Sequence, residues 1–200
     1  MTITYPVKNG MYVNMTNRCP CACTFCLRHN GDGVYGSDSL WLEREPSVEE
    51  VCADLDLRDL EKYDEVVFCG YGEPTERLED LLQVAAHIRA RSKIKIRINT
   101  NGLADQICGE RTAPKLQGLI DTVSISLNAT NEEEYCRLVR PRFGTGSYQA
   151  MLRFAQDCVA YVPEVVMTVV DQVTSVEEQE RCREICDSIG AVLRIRPFES

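Results

Sequence analysis

Short alternating runs of apolar and polar residues recur along this chain, and most are followed by a stretch with helical spacing. Residues 11–16 alternate and predict a first strand. Residues 65–69 predict a second, stopped by Gly70-Tyr71-Gly72-Glu73-Pro74. Residues 94–99 predict a third, ended by Asn101-Gly102. Residues 122–127 and 164–170 predict a fourth and a fifth, and residues 192–196 a sixth that stops at Pro197. Between them, Ser47 with Glu50 three residues on is a capping-box start for a helix reaching about Leu60. Leu78, Leu81, Leu82, Ala85 and Ile88 have helical spacing, and a weaker helical segment covers 103–119. Asn131 opens a short helix that stops near Pro141. Ser147 is expected to cap a helix over 147–159, and a helix over 175–189 ends at Gly190.

Strands that alternate with helices imply a parallel sheet with right-handed crossovers. Six such units are too few for a closed eightfold barrel. The expected fold is therefore α/β, an open partial (β/α)6 barrel, in one core domain over residues 1–200. Four strands carry one polar face each. Ile94, Ile96 and Ile98 oppose Lys95, Arg97 and Asn99; Val123, Ile125 and Leu127 oppose Ser124, Ser126 and Asn128. Val13 and Met15 oppose Asn14 and Thr16; Leu193 and Ile195 oppose Arg194 and Arg196. Strands covered on both faces would be apolar throughout. Either these strands lie at a solvated edge, or their polar faces line a cavity with a cationic floor for an anionic or carboxylate-bearing ligand.

Charge narrows the partners. The formal net charge of −9 is a poor match to nucleic acid, although a local basic pocket remains compatible with it. No apolar run approaches the length of a membrane span, and the N-terminus lacks the order of a signal peptide. Eleven cysteines in such a chain fit a reducing cytoplasm and a metal centre better than a disulfide framework.

Four of those cysteines fall within Cys19-Pro20-Cys21-Ala22-Cys23-Thr24-Phe25-Cys26, directly after the first strand. Three thiolates at Cys19, Cys23 and Cys26 can hold three irons of a [4Fe–4S] cube and leave the fourth open to a small molecule. Soft thiolates suit such clusters. An all-thiolate zinc site is the rival, but Cys19-x-Cys21-x-Cys23 is tighter than usual zinc spacing, and no second CxxC pair follows. Cys21 is left outside the ligand set. Cys52, Cys69, Cys108, Cys136, Cys158, Cys182 and Cys186 read as small apolar residues. His29 and His87 have no partner at informative spacing.

Cys19-x3-Cys23-x-Phe25-Cys26 after a first strand resembles the cluster loop of the radical S-adenosylmethionine (SAM) superfamily. The runs Tyr12–Cys19 and Phe25-Cys26-Leu27-Arg28 resemble the branch described as TatD-associated. The resemblance implies a [4Fe–4S] cluster on Cys19, Cys23 and Cys26, with SAM as second cofactor. It implies that Gly72, Glu73 and Pro74 match the family's Gly-Gly-Glu-Pro turn, with Tyr71 in place of a glycine. It further implies SAM contacts at Ser126 or Asn128 for the ribose, Arg140 for the carboxylate, and Val170 and Phe25 near the adenine, with Asn99 lining the same pocket. Arg97, Arg194 and Arg196 are the candidates for substrate. The implied reaction is reductive cleavage of SAM and hydrogen abstraction from a small-molecule substrate. An activating enzyme acting on a protein or peptide, or a non-catalytic electron carrier, are the alternatives. A reductant such as flavodoxin or ferredoxin and a TatD-like hydrolase in a shared pathway are the implied partners. The loop over 31–37, or a partner, is expected to cover the open end.

Overall fold

A computed structural model describes residues 1–33 and 36–197. One seven-stranded sheet runs in sequence order through β1 (Thr4–Val7), β2 (Gly10–Val13), β3 (Glu65–Phe68), β4 (Lys95–Thr100), β5 (Thr122–Ser126), β6 (Glu164–Val170) and β7 (Val192–Arg196). Strands β2 to β7 pair in parallel, and β1 pairs antiparallel with β2. Hydrogen bonds do not close the sheet, since β1 and β7 are its two edges. This matches an open, partial barrel.

β1 is absent from the sequence-based reading. Pro6 interrupts its pattern, but proline is tolerated on an edge strand. β2 is shorter than the predicted 11–16. Just beyond the end of β2, the side-chain amide of Asn14 donates to Leu40 O at 2.8 Å and Thr2 O at 3.2 Å. Asn14 and Thr16 are therefore buried loop anchors rather than a lumen face.

The helices are α1 (Val48–Asp56), α2 (Leu78–Arg91), α3 (Ala104–Cys108), α4 (Glu132–Val139), α5 (Ser147–Val159) and α6 (Val176–Ile189). Ser47 and Ser175 both form complete capping boxes, with Glu50 and Glu178. Gly190 ends α6 at φ 86°, the left-handed region that favours glycine. Two expectations change. Ser147 is the first helical residue of α5, capped by Gly146, and its hydroxyl donates back to Gly144 O at 2.7 Å. The weak segment over 103–119 is the five-residue α3 and a separate 3₁₀ turn over Ala113–Leu116.

The alternation sorts the two faces of the sheet. Met11, Val13, Val66, Phe68, Ile96, Ile98, Val123, Ile125, Val165, Met167 and Val169 are buried in the main core. Tyr12, Cys69, Arg97, Asn99, Ser124, Ser126, Thr168, Val170, Arg194 and Arg196 line a cavity on the opposite face. Lys95, at the start of β4, is exposed and outside it. The helix-covered side thus holds the apolar core, while the cavity side mixes polar and apolar side chains. Among the described residues, no helix is long and apolar enough to cross a membrane. Replacing Ser47 with alanine removes one half of a capping box and should cost about 1 kcal/mol in chemical denaturation, with no change in the denaturant slope.

Candidate functional site

The concave cavity has a volume of ≈ 450 Å³. Its wall begins at the cysteine loop. That loop lies against the end of α4: Ala22 N donates to Val139 O at 3.1 Å and Thr24 N to Leu138 O at 2.9 Å. Arg142 N returns a bond to Pro20 O at 2.8 Å, and Cys21 forms a bridge with Pro141. Satisfying these backbone groups gives the loop one fixed path. Cys19, Cys21, Cys23, Cys26 and Phe25 all line the cavity.

Cys21 therefore does not point away from the site. Its thiol is buried and hydrogen-bonds to Cys19, which lowers the Cys19 pKa and raises that of Cys21. Burial pushes the Cys23 thiol up to about 12. Among the described residues, no three His, Cys, Asp or Glu side chains converge as a single metal ion would need.

The turn after β3 crosses the entry to that loop. A side chain on Gly72 would lie 2.7 Å from Arg18 O and closer still to Thr16 O. One on Gly70 would lie 2.6 Å from Asn14 Cγ. Both positions need glycine for close approach. Glu73 N then donates to Arg18 O at 2.8 Å.

The Glu73 carboxylate is buried among four donors. Oε1 accepts from Thr75 N at 3.1 Å, Thr75 Oγ1 at 2.7 Å and Thr100 Oγ1 at 2.7 Å. Oε2 accepts from Asn101 N at 2.7 Å. Burial raises its pKa, while these hydrogen bonds lower it; burial is the larger effect. Glu73 thereby joins the end of β3 to the end of β4. Gly72 and Glu73 line the cavity, whereas Pro74 is buried as the first residue of a 3₁₀ turn.

The far wall comes from the later strands. Asn99, Ser126, Asn128 and Val170 all reach the cavity. Asn128 has φ 59° and is 3 % exposed. Oδ1 of Asn99, Oδ1 of Asn128 and the hydroxyl of Tyr135 are buried without a partner. Orphaned polar atoms of this kind call for a ligand or water.

Arg140 is a correction. It is exposed, sits at φ 49° as the C-cap of α4 and does not line the cavity. The left-handed turn directs the chain to Pro141, and its carbonyl, at 3.4 Å from Ala22 N, is what meets the cysteine loop.

The cationic floor is also revised. Arg97 lies inside, but Glu65 pairs with it at 2.8 Å, and it donates to Tyr12 Oη at 3.3 Å. Arg194 and Arg196 line the cavity and are exposed, with no ion pair among the described residues. Among the described strand residues that line the cavity, the cations without an ion pair are Arg194 and Arg196 rather than Arg97.

Several cavity residues were absent from the site read in the sequence. Cys69 is not a core spectator: it lines the cavity, burial raises its pKa, and Asn99 hydrogen-bonds to it. Its parity on the strand with the polar Glu65 was the available signal. Tyr135 gave none, because one helix position cannot reveal which loop will cross it. His29 is exposed, and His87 meets Asp56 at 2.8 Å outside the site. The expected cover over 31–37 includes Val34 and Tyr35, which lie outside the described residues.

Three comparisons bear on this geometry. The family model for the Radical SAM superfamily matches residues 13–184. GTP 3',8-cyclase from Mycobacterium sp. (strain KMS) is 28% identical over 193 residues, which is 94% of this chain and 51% of the relative. SuiB from Streptococcus suis, solved with its precursor peptide SuiA, superposes with a TM-score of 0.71 at 16% identity, over 94% of this chain and 39% of SuiB. SuiB bound to S-adenosylmethionine superposes with a TM-score of 0.66 at 17% identity, over 94% of this chain and 38% of SuiB. At such identities the solved structures establish the fold alone. The chain spans about half the length of the curated relatives it matches.

The chain belongs to the radical SAM superfamily. This family uses a [4Fe–4S] cluster and S-adenosylmethionine. The residues present fit both groups: soft thiols on one rim, a glycine cradle beside them, and orphaned polar atoms opposite.

Anaerobic reconstitution should give about four irons per chain, falling sharply in Cys23→Ala and persisting in Cys21→Ala. Stoichiometric zinc without iron would contradict the ligand assignment. Gly72→Ala forces a methyl into the Thr16–Arg18 backbone, so thermal unfolding should register a loss of about 1–3 kcal/mol, with poorer cluster retention.

Proposed function

We propose that this radical SAM chain cleaves S-adenosylmethionine reductively and uses the product radical to abstract hydrogen from a small anionic substrate. The observation that carries the reading is one cavity lined both by Cys19, Cys23 and Cys26 and by Arg194 and Arg196. When bound there, the cluster and SAM supply one electron, methionine and a 5′-deoxyadenosyl radical. The protein's part is to position and to exclude.

In this reading Cys19, Cys23 and Cys26 are the ligands, and their loop is held still by the end of α4. The Gly72-Glu73-Pro74 turn would hold the amino group of SAM. Ser126 and Asn128 meet the ribose, Asn99 lies beside them, and Val170 and Phe25 flank the adenine. Arg194 and Arg196 draw the substrate's negative charge to the rim, while Arg97, balanced by Glu65, orders the inner wall. An anionic substrate is consistent with the GTP named in the cyclase relatives. Flavodoxin or ferredoxin is the proposed electron donor, in the cytoplasm. The runs Tyr12–Cys19 and Phe25–Arg28 support the TatD-associated branch, with a TatD-like hydrolase in a shared pathway.

A peptide substrate is the second reading. It is favoured by the edge of β7, unpaired among the described residues, where Val192 and Ile195 are 58% and 40% exposed beside the two arginines. An extended acidic peptide could add to that edge.

After reconstitution and dithionite reduction, 5′-deoxyadenosine should accumulate from SAM, and Cys23→Ala should abolish it. No 5′-deoxyadenosine from the wild type would reject catalysis in favour of electron transfer. With a metabolite extract, an anionic species should be depleted, and the Arg194→Gln/Arg196→Gln double variant should spare it. Deuterium transfer from peptides alone would instead favour the second reading.

A further inference from the structure

Tyr71 is where the chain departs from the family's Gly-Gly-Glu-Pro turn, and its surroundings give that departure a consequence. Gly70 and Gly72 on either side have no room for side chains. Tyr71 does, and its ring lies 5.0 Å from that of Trp41, edge to face. Its hydroxyl donates to Gly31 O at 2.6 Å. Trp41 is 39% exposed, and its ring makes a further contact. That contact is Arg28, whose guanidinium carbon lies 5.8 Å from the Trp41 ring centroid.

Arg28 turns its donors toward the cysteine loop. Nε donates to Cys26 Sγ at 3.4 Å, Nη1 to Asn17 O at 3.4 Å and Nη2 to Cys21 O at 3.5 Å. No carboxylate forms an ion pair with Arg28 among the described residues. This cation is therefore directed at a cysteine sulfur and two backbone carbonyls, and held there by an aromatic pair. Arginine suits the task because its planar fork stays charged and stacks on aromatic faces.

We propose that Arg28, positioned by Trp41 and Tyr71, sets the reduction potential of the cluster through its hydrogen bond and charge at Cys26. The proposal rests on the reading that Cys26 is a cluster ligand. Hydrogen bonds to ligand sulfur and nearby positive charge favour the more negative, reduced state and raise the potential. Arg28 acts here as a positioning and tuning residue, with no bond made or broken at its own atoms. The single electron that enters the cluster comes from a low-potential one-electron donor.

The test is a redox titration of the reconstituted full chain with dithionite and mediators, followed by electron paramagnetic resonance. In Arg28→Gln, the reduced-to-oxidised ratio at a fixed solution potential should fall about tenfold, equivalent to a midpoint about 59 mV lower for one electron. Arg28→Lys should recover part of this by charge alone. Trp41→Leu should shift in the same direction by less, since it loosens the guanidinium without removing it. Iron content and signal shape separate the two levels of inference. Full iron with an unshifted midpoint in Arg28→Gln overturns the tuning role and leaves the ligand assignment standing. A wild type that assembles no cluster overturns both. If Arg28→Gln fails to assemble, Arg28→Lys and Trp41→Leu decide: wild-type midpoints in both overturn the proposal.

Discussion

The site depends on one backbone crossing. The turn leaving β3 passes so close to the carbonyls of Thr16 and Arg18 that only glycine fits at position 72. Directly after it, Glu73 N binds Arg18 O. This contact fixes the distance between the thiol-bearing loop and the Gly72-Glu73 turn. Arg18 is held from its other end as well, by Glu45 at 2.7 Å. A long connection after a short strand thus becomes a defined rim, although it has little regular structure of its own.

Electrostatics give the rim and the wall different characters. The Glu73 carboxylate is buried and ionisable, tolerated because four donors meet it. Arg97 is likewise balanced by Glu65. Unbalanced charge appears where water can reach it, on Arg194 and Arg196. Arg28, which lines the cavity beside the cysteine loop, is likewise without an ion pair among the described residues, so unpaired positive charge borders the cavity at both places. An overall charge of −9 does not oppose this, because the local field near a cleft is set by the residues that line it.

Much of the fold was legible because its signals are local. Period-two alternation in β4 and β5 separated the core face from the cavity face, since a strand's side chains alternate whatever it pairs with. Ser47 with Glu50, Ser175 with Glu178, and Gly190 marked helix ends through interactions spanning three or four residues. The hairpin β1 escaped because Pro6 masks its pattern, and the short α3 escaped because its helical spacing continues past Gly109, which ends it at φ 70°. Arg140 was misjudged because a single left-handed residue reverses where a side chain goes.

The sequence by itself determined which residue types could make this chemistry: three cysteines at a spacing one loop can present, glycines where a turn must be thin, and polar strand faces that a packed core would not accept. The tertiary structure decided which of them meet. It brought Cys21, Cys69 and Tyr135 into the cavity, paired Arg97 with Glu65, turned Arg140 out, and set Arg28 between Trp41 and Cys26. The physical reason is range. Backbone preference and strand parity act over a few residues, whereas a buried charge or an orphaned hydroxyl gets its partner from whichever segment the crossovers bring across the sheet.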